Sequence, residues 1–395
     1  MTRGRGAAAL AAVLLLTACG GGDDDPGTAA PEATAPTTSE HSHGSDGHGD
    51  AQPMKAEPLR PGERRLDLTM PEPYTPSAPT GVGTDDYRCF LLDPDLDEDA
   101  YLTGTHVQPG NAEVVHHVIL FRVPPEQVAE AEATDAEEPG QGWTCFGDAG
   151  LDEIGSLEDA PWLGAWAPGS QESVHRAGYG VELDRGSRIV MQVHYNLLAG
   201  DAADTSATQL RLAPPGAELT SIETMLLPGP VELPCRPDHA DGDLCDRTAA
   251  LADVKARFGA EAGSTADALH FLCPGALDPG EVQSCTRTVR EETTIMGAAG
   301  HMHLLGRSIR IEVNSDPPRA RTVLDIPVWD FDNQGAKPVN PVTLEAGDRV
   351  KVTCRHVQWL RDELPSFEGQ PDRYVLWGEG TTDEMCLGIL QVTRP

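Results

Sequence analysis

The chain is written in short apolar runs broken by glycine, proline and aspartate, and this pattern excludes most helical architectures. Val114–Val123 (VVHHVILFRV), Arg188–Asn196 (RIVMQVHYN), Ser308–Val313 (SIRIEV), Arg349–Cys354 (RVKVTC) and Cys386–Val392 (CLGILQV) are β-branched or aromatic runs of strand length. Apolar residues do not recur at helical spacing over any long stretch, with one exception. Asp246–Phe258 followed by Thr265–Leu272 reads as a short helical pair between Cys245 and Cys273. Spaced short strands with turn signals predict an all-β protein. The expected plan is two tandem antiparallel β-sandwiches, jelly-roll-like, with the helical insertion at the start of the second. Pro214-Pro215-Gly216 marks the boundary, giving domains 63–215 and 216–395.

The N-terminus speaks to compartment. Arg3 and Arg5 precede an apolar run, Ala7–Leu16, that is too short for a permanent membrane span and fits a signal peptide over residues 1–19. The run ends in Leu16-Thr17-Ala18-Cys19, which resembles the bacterial lipobox, in which the cysteine is lipidated. The expectation is an exported protein anchored to a bacterial membrane through lipid on Cys19. Residues 20–62 are rich in Gly, Pro, Thr, Ala, Asp and Glu and cannot bury enough surface to offset the entropy of ordering them. This linker carries His41, His43 and His48, a tract that reads either as a loose copper or zinc binder or as a polar spacer.

Charge and cysteine content narrow the class. A net charge of -34 argues against nucleic acid and against an anionic membrane surface as partners. Of nine cysteines, Cys19 is assigned to lipid. Cys89, Cys145, Cys235, Cys245, Cys273, Cys285, Cys354 and Cys386 remain, an even set that suggests disulfides in an oxidising compartment. No C-x-x-C pair is present, which argues against a cysteine zinc site.

Three histidine groups fall in apolar strand contexts: His116-His117, His194, and His301-Met302-His303. Successive strand residues point to opposite faces, so His116 and His117 reach one ion only where the strand is twisted, bulged or at an edge. His301 and His303 share a strand face if the strand continues through both. Gln192 shares a face with His194. Each group alone is an ordinary feature of a β protein; together they suggest a metal protein.

These motifs, in this order, resemble the copper type II, ascorbate-dependent monooxygenases, the group of peptidylglycine α-hydroxylating monooxygenase and dopamine β-hydroxylase. The resemblance covers most of residues 64–395 and rests on VVHHVILF at 114–121, QVHY at 192–195, HMHLLG at 301–306 and EMC at 384–386, with Tyr87 two residues before Cys89. It implies two separate copper ions per chain. His116, His117 and His194 would form an electron-transfer site in the first domain. His301, His303 and Met385 would form the catalytic, oxygen-binding site in the second. A thioether favours Cu(I), so Met385 would stabilise the reduced ion at that site alone. The implied activity is hydroxylation of an activated C–H bond of a small molecule, using O₂ and ascorbate or another one-electron reductant. Tyr87 and Gln192 would support the ligands from behind. The resemblance also pairs Cys89 with Cys145 and Cys354 with Cys386. For the four cysteines flanking the helical insertion the chain departs from the animal enzymes. Of three possible pairings, the nested one is expected: Cys235 with Cys285 and Cys245 with Cys273.

Where the peptide-hydroxylating branch holds its substrate with an arginine, an asparagine and a tyrosine, this chain has Ala299, Leu387 and Ile389. No carboxylate clamp can be built from these side chains, so a glycine-extended peptide is not the expected substrate. A reading from a different class is a copper-binding or copper-buffering lipoprotein without turnover, which the histidine-rich linker favours and the two unlike ligand sets disfavour.

Overall fold

The computed structural model describes residues 56–79, 83–151, 159–273, 278–315 and 318–395. The signal segment, Cys19 and the linker histidines His41, His43 and His48 lie outside the described residues. The described chain is all-β, built from several antiparallel sheets. No described helix is long and apolar enough to cross a membrane.

In the first half an outer sheet packs on an inner one. The outer sheet includes Arg64–Thr69, Ala207–Leu212 and Ala100–Gln108. The inner sheet runs Trp143–Thr144, Asp85–Leu92, Arg188–Asn196, Val115–Val123, Trp162–Trp166. Between them lie Leu102, Leu210 and Leu212 from the outer sheet and Val118, Leu120, Ile189, Met191 and Val193 from the inner. In the second half, Lys337–Leu344, Thr293–His301, Cys386–Thr393 and Glu223–Gly229 make one sheet. Val282–Thr288, Arg349–His356, Gly306–Val313 and Arg321–Ile326 make the other. Ile295, Ala298, Leu390 and Val392 meet Ile309, Ile311, Val350 and Val352 between these two sheets. Asp159–Ala160 crosses from the first half to pair with Glu223–Gly229.

The inner sheet of the first half is covered on both faces, and this positions the site. Along Arg188–Asn196, Ile189, Met191, Val193 and Tyr195 enter the first core, while Val190 joins the core of the second half. The alternation places Gln192 and His194 on the face of Val190, turned toward the second half. On the neighbouring strand Phe121 and Val123 also join the second core, and His117 shares their parity. A strand buried on both faces reads as a continuous apolar run, which is how RIVMQVHYN reads.

The helical pair is one helix, Arg247–Leu272, broken at Gly259, whose φ of 89° and ψ of 169° lie outside helical space. Glycine tolerates that backbone because it has no Cβ to clash. Asp246 caps the start, its side chain accepting the N–H of Ala249. A further helix, Val128–Glu137, went unseen in the sequence because VAEAEATDAE has no apolar stripe; Ala131 is its one buried residue.

Four disulfides hold the described chain, as befits an oxidising environment. Cys89–Cys145 and Cys354–Cys386 form as expected, the latter stitching the two sheets of the second half together. The nested pairing is overturned: Cys235 bonds Cys245 and Cys273 bonds Cys285. The broken helix does fold back on itself, with Arg247 near its start bonded to Asp267 near its end. That closure belongs to side chains, however. Glu232 takes both Arg247 and His270, and each cysteine is left beside its nearer neighbour in the chain.

Candidate metal centre

A β-bulge makes the first histidine set. Across the Val115–Val123 and Arg188–Asn196 strands, His194 pairs with His117 but Tyr195 pairs with Val115, so His116 is the extra residue. A bulge re-aims side chains that strict alternation would send to opposite faces. His116 is thereby turned onto the side of His117 and His194. The three Nδ1 atoms stand at the corners of a triangle: 3.2 Å for His116–His117, 3.3 Å for His116–His194 and 3.2 Å for His117–His194. These contacts cannot all be hydrogen bonds. A neutral ring nitrogen either donates or accepts, so one side of any such triangle sets donor against donor or acceptor against acceptor. Three lone pairs held about 3.3 Å apart are instead what a metal at roughly 2.0 Å from each nitrogen requires. The three residues could hold a metal ion.

The chemistry behind the rings agrees. Nε2 of His194 lies 2.9 Å from Asp85 Oδ1. A carboxylate only accepts, so Nε2 carries the proton and Nδ1 keeps its lone pair for a metal. Burial pushes the Asp85 carboxyl up, but hydrogen bonds from His194, Thr381 and Thr84 outweigh it and hold it below its ordinary range. Burial depresses His194, with Asp85 offsetting only part of the effect. His117 is driven well below its ordinary value by burial and by its histidine neighbours. Neutral imidazoles are the form that binds metal. Tyr87 stacks on His194 with ring centroids 4.0 Å apart and planes 10° apart, and its hydroxyl donates to the carbonyl of Glu379 at 2.7 Å. Gln192 turns its amide elsewhere, to the carbonyl of Asp148 at 2.6 Å.

The second set is assembled differently from the strand-face expectation. The strand ends at His301, and His303 comes from the turn that follows, closed by the Gly306 N–H donating to the His303 carbonyl. The two rings still meet, centroids 5.1 Å apart. His301 donates from Nδ1 to Gln334 Oε1 at 2.6 Å, leaving Nε2 for a ligand role, and Gln334 is itself held by donating to the Phe331 carbonyl. Burial, with His303 beside it, depresses His301 to about 3. His303 is wholly buried, and neither of its ring nitrogens has a hydrogen-bond partner among the described residues. Buried polar atoms without partners are rare, and a missing ion is one of the standard reasons for them. Met385 is buried where the Cys386–Thr393 strand begins. At the positions of the absent substrate clamp, Ala299 pairs with Ile389 and His301 with Leu387 across adjacent strands.

The two sets are neighbours. His117 and His301 have ring centroids 5.5 Å apart. The 331–334 loop reaches both, with Phe331 stacked on His116 at 4.3 Å and Gln334 bonded to His301. Asp85 also accepts both the N–H and the hydroxyl of Thr381, tying His194 to the segment that leads to Met385. Asp85, Phe331 and Gln334 went unmarked in the sequence because nothing local distinguishes them from other polar or aromatic residues near a strand.

Asp85→Asn tests the tautomer argument. Losing the anionic acceptor behind a metal-ligating histidine typically weakens binding roughly tenfold to a hundredfold. Competition between the protein and a chelator for added metal should show that loss at the His116–His117–His194 site. Equal affinity in variant and parent would mean that Asp85 does not orient His194.

No protein-family profile matches the chain, and no curated protein matches it. Among solved structures, a Paenibacillus xanthan lyase overlaps at a TM-score of 0.18 and 11% identity, over 83% of this chain and 25% of that chain. This chain thus spans about a quarter of the lyase. The VP2 subviral particle of infectious bursal disease virus overlaps at 0.19 and 7% identity, over 84% of this chain and 72% of that chain. The coconut allergen cocosin overlaps at 0.14 and 10% identity, over 84% of this chain and 86% of that chain. Overlaps at this level carry no inference about chemistry.

Proposed function

We propose that this chain is a copper-dependent monooxygenase of the copper type II group, exported and lipid-anchored, with two unlike copper sites. The observation that carries the reading is the triangle of three inward Nδ1 atoms beside a second histidine pair, His301 half-buried and His303 buried, followed in the chain by the Glu384-Met385-Cys386 motif. Imidazole serves both oxidation states of copper, whereas a thioether favours Cu(I). A protein that only stores copper has no need of two donor sets of different softness.

The residues divide the work by position. His116, His117 and His194 present Nδ1 lone pairs, with Asp85 holding the proton on the far nitrogen of His194 and Tyr87 fixing the ring plane. His301 presents Nε2 because Gln334 occupies Nδ1. His303 has both nitrogens available, and Met385 completes the second set. His116, His194, His303 and Met385 are buried away from bulk water, and His117 and His301 are half-buried. Copper when bound would supply the redox chemistry: O₂, two electrons and two protons convert a substrate C–H to C–OH and release water. The apolar Ala299, Leu387 and Ile389 favour a substrate without a carboxylate to be clamped.

The test uses the chain with His41, His43 and His48 changed to serine, loaded anaerobically with Cu(I). Two tightly bound coppers are expected, with His194→Ala and Met385→Ala each weakening a different one. Oxygen uptake with ascorbate should then depend on an added substrate with an activated C–H bond. One copper or none, or losses unaffected by either substitution, would sink the ligand assignment. Two coppers with only substrate-independent peroxide formation across a substrate panel would favour storage over catalysis.

A further inference from the structure

His194 and His301 are each oriented at the ring, by Asp85 and Gln334. His303 has no such partner on either nitrogen, and Met385 has a thioether that accepts hydrogen bonds only weakly. Neither group is oriented by a side-chain hydrogen bond among the described residues. Both run their backbone N–H into one buried carboxylate. Oε2 of Glu384 accepts the N–H of His303 at 2.9 Å and that of Met385 at 3.2 Å, and Oε1 accepts the N–H of Leu305 at 2.5 Å. His356, also buried, lies with Nε2 3.3 Å from the same Oε2 and 3.1 Å from the Met385 carbonyl.

We propose that Glu384 is the positioning residue of the second copper site, setting His303 and Met385 against each other by holding both backbones on one carboxylate oxygen. This rests on the ligand reading above. The two ligands are some eighty positions apart in the chain; the His301–Leu387 pairing brings their segments together, and the shared carboxylate ties the two ligand backbones beyond the end of that ladder. Burying a carboxylate is unfavourable unless hydrogen bonds replace its water. Here three backbone donors do so, with Nε2 of His356 in contact at 3.3 Å, and among the described residues no arginine or lysine is bonded to the carboxylate. The motif Glu-Met-Cys thus gains a role for each member: Glu384 places the ligands, Met385 is a ligand, and Cys386 bolts the strand to Cys354.

The discriminating change is Glu384→Gln. It conserves shape, but its amide NH₂ would face a backbone N–H, so one anchor must be lost. Glu384→Asp keeps the charge but is a methylene too short to span Leu305 and the two ligands at once. In the full chain carrying the three linker serines, X-ray absorption of the Cu(I) form should show sulfur scattering in the parent. The signal should be lost in Glu384→Gln and partly kept in Glu384→Asp. The second copper should bind roughly tenfold to a hundredfold more weakly in Glu384→Gln, with the His116 site still filled. Sulfur scattering and affinity unchanged in Glu384→Gln, with both present in the parent, would overturn the positioning role alone. No sulfur scattering in the parent would overturn the ligand reading and this inference with it. Loss of both coppers in both variants would make Glu384 a residue of general folding and likewise overturn the proposal.

Discussion

Cys354→Ala with Cys386→Ala should lower folding stability by about 4 kcal/mol and, on the proposed ligand set, release the copper assigned to Met385. The stability figure follows from chain entropy. The bond closes a loop of sequence separation 32, and cross-linking a loop of that size removes denatured-state freedom equivalent to about 3–4.5 kcal/mol. The copper effect is local. Cys386 follows Met385 directly, and its bond to Cys354 joins the two sheets of the second half. Without it the start of the strand after Met385 keeps its ladder, the Glu384 contacts and the His356 bond to the Met385 carbonyl, but loses its covalent tie to the other sheet. The control is Cys235→Ala with Cys245→Ala, whose loop has a separation of 10 and carries none of the proposed ligands. Urea unfolding and copper counts on both double variants decide the matter. Equal copper retention in the two would show that the Cys354–Cys386 bond stabilises the fold without holding the site.

Glu379→Gln should stabilise the metal-free protein at alkaline pH by several kcal/mol and leave it unchanged in acid. Burial, with Asp148 and Asp383 nearby, pushes the Glu379 carboxyl up to about 8. The unfolded chain returns it to an ordinary value near 4.5. Between those values the folded state binds the proton more tightly, so stability falls as pH rises through the window and levels off above it. The full difference is on the order of 5 kcal/mol, taking 1.36 kcal/mol per pH unit. Glutamine stays neutral throughout and escapes this loss. Urea midpoints at pH 5, 7 and 9 should therefore diverge between parent and variant as pH rises. Midpoints that run parallel would show that the carboxyl ionises without penalty. The result also bears on the metal centre, because the Glu379 carbonyl receives the hydroxyl of Tyr87, whose ring covers His194.

Much of the architecture was legible in the chain because strand formation is a local matter. RIVMQVHYN and VVHHVILF carry their burial pattern in their own composition, and both form strands, which the structure lays side by side. The helical insertion was legible for the same reason, and even its break falls between the two apolar segments, at Gly259. The count of eight cysteines available for bonding was likewise plain. The helix Val128–Glu137 was not, since a helix that rests on a surface without an apolar stripe leaves no periodic trace.

What only the tertiary structure decided are the relations between distant residues. Whether His116 and His117 can face one ion depends on a register slip against Arg188–Asn196, a property of the pair of strands and not of either alone. Which cysteine meets which depended on where a folded-back helix set its two ends. The pairing is sequential, and Glu232 joins the two ends of the helix through Arg247 and His270. The partners that aim the histidines, Asp85, Gln334 and Glu384, are polar residues like many others until the fold delivers them to a ring or a backbone N–H. Alternation and composition act over a few residues and can be read along the chain; a hydrogen bond across the fold is made by geometry that the chain expresses only once it is packed.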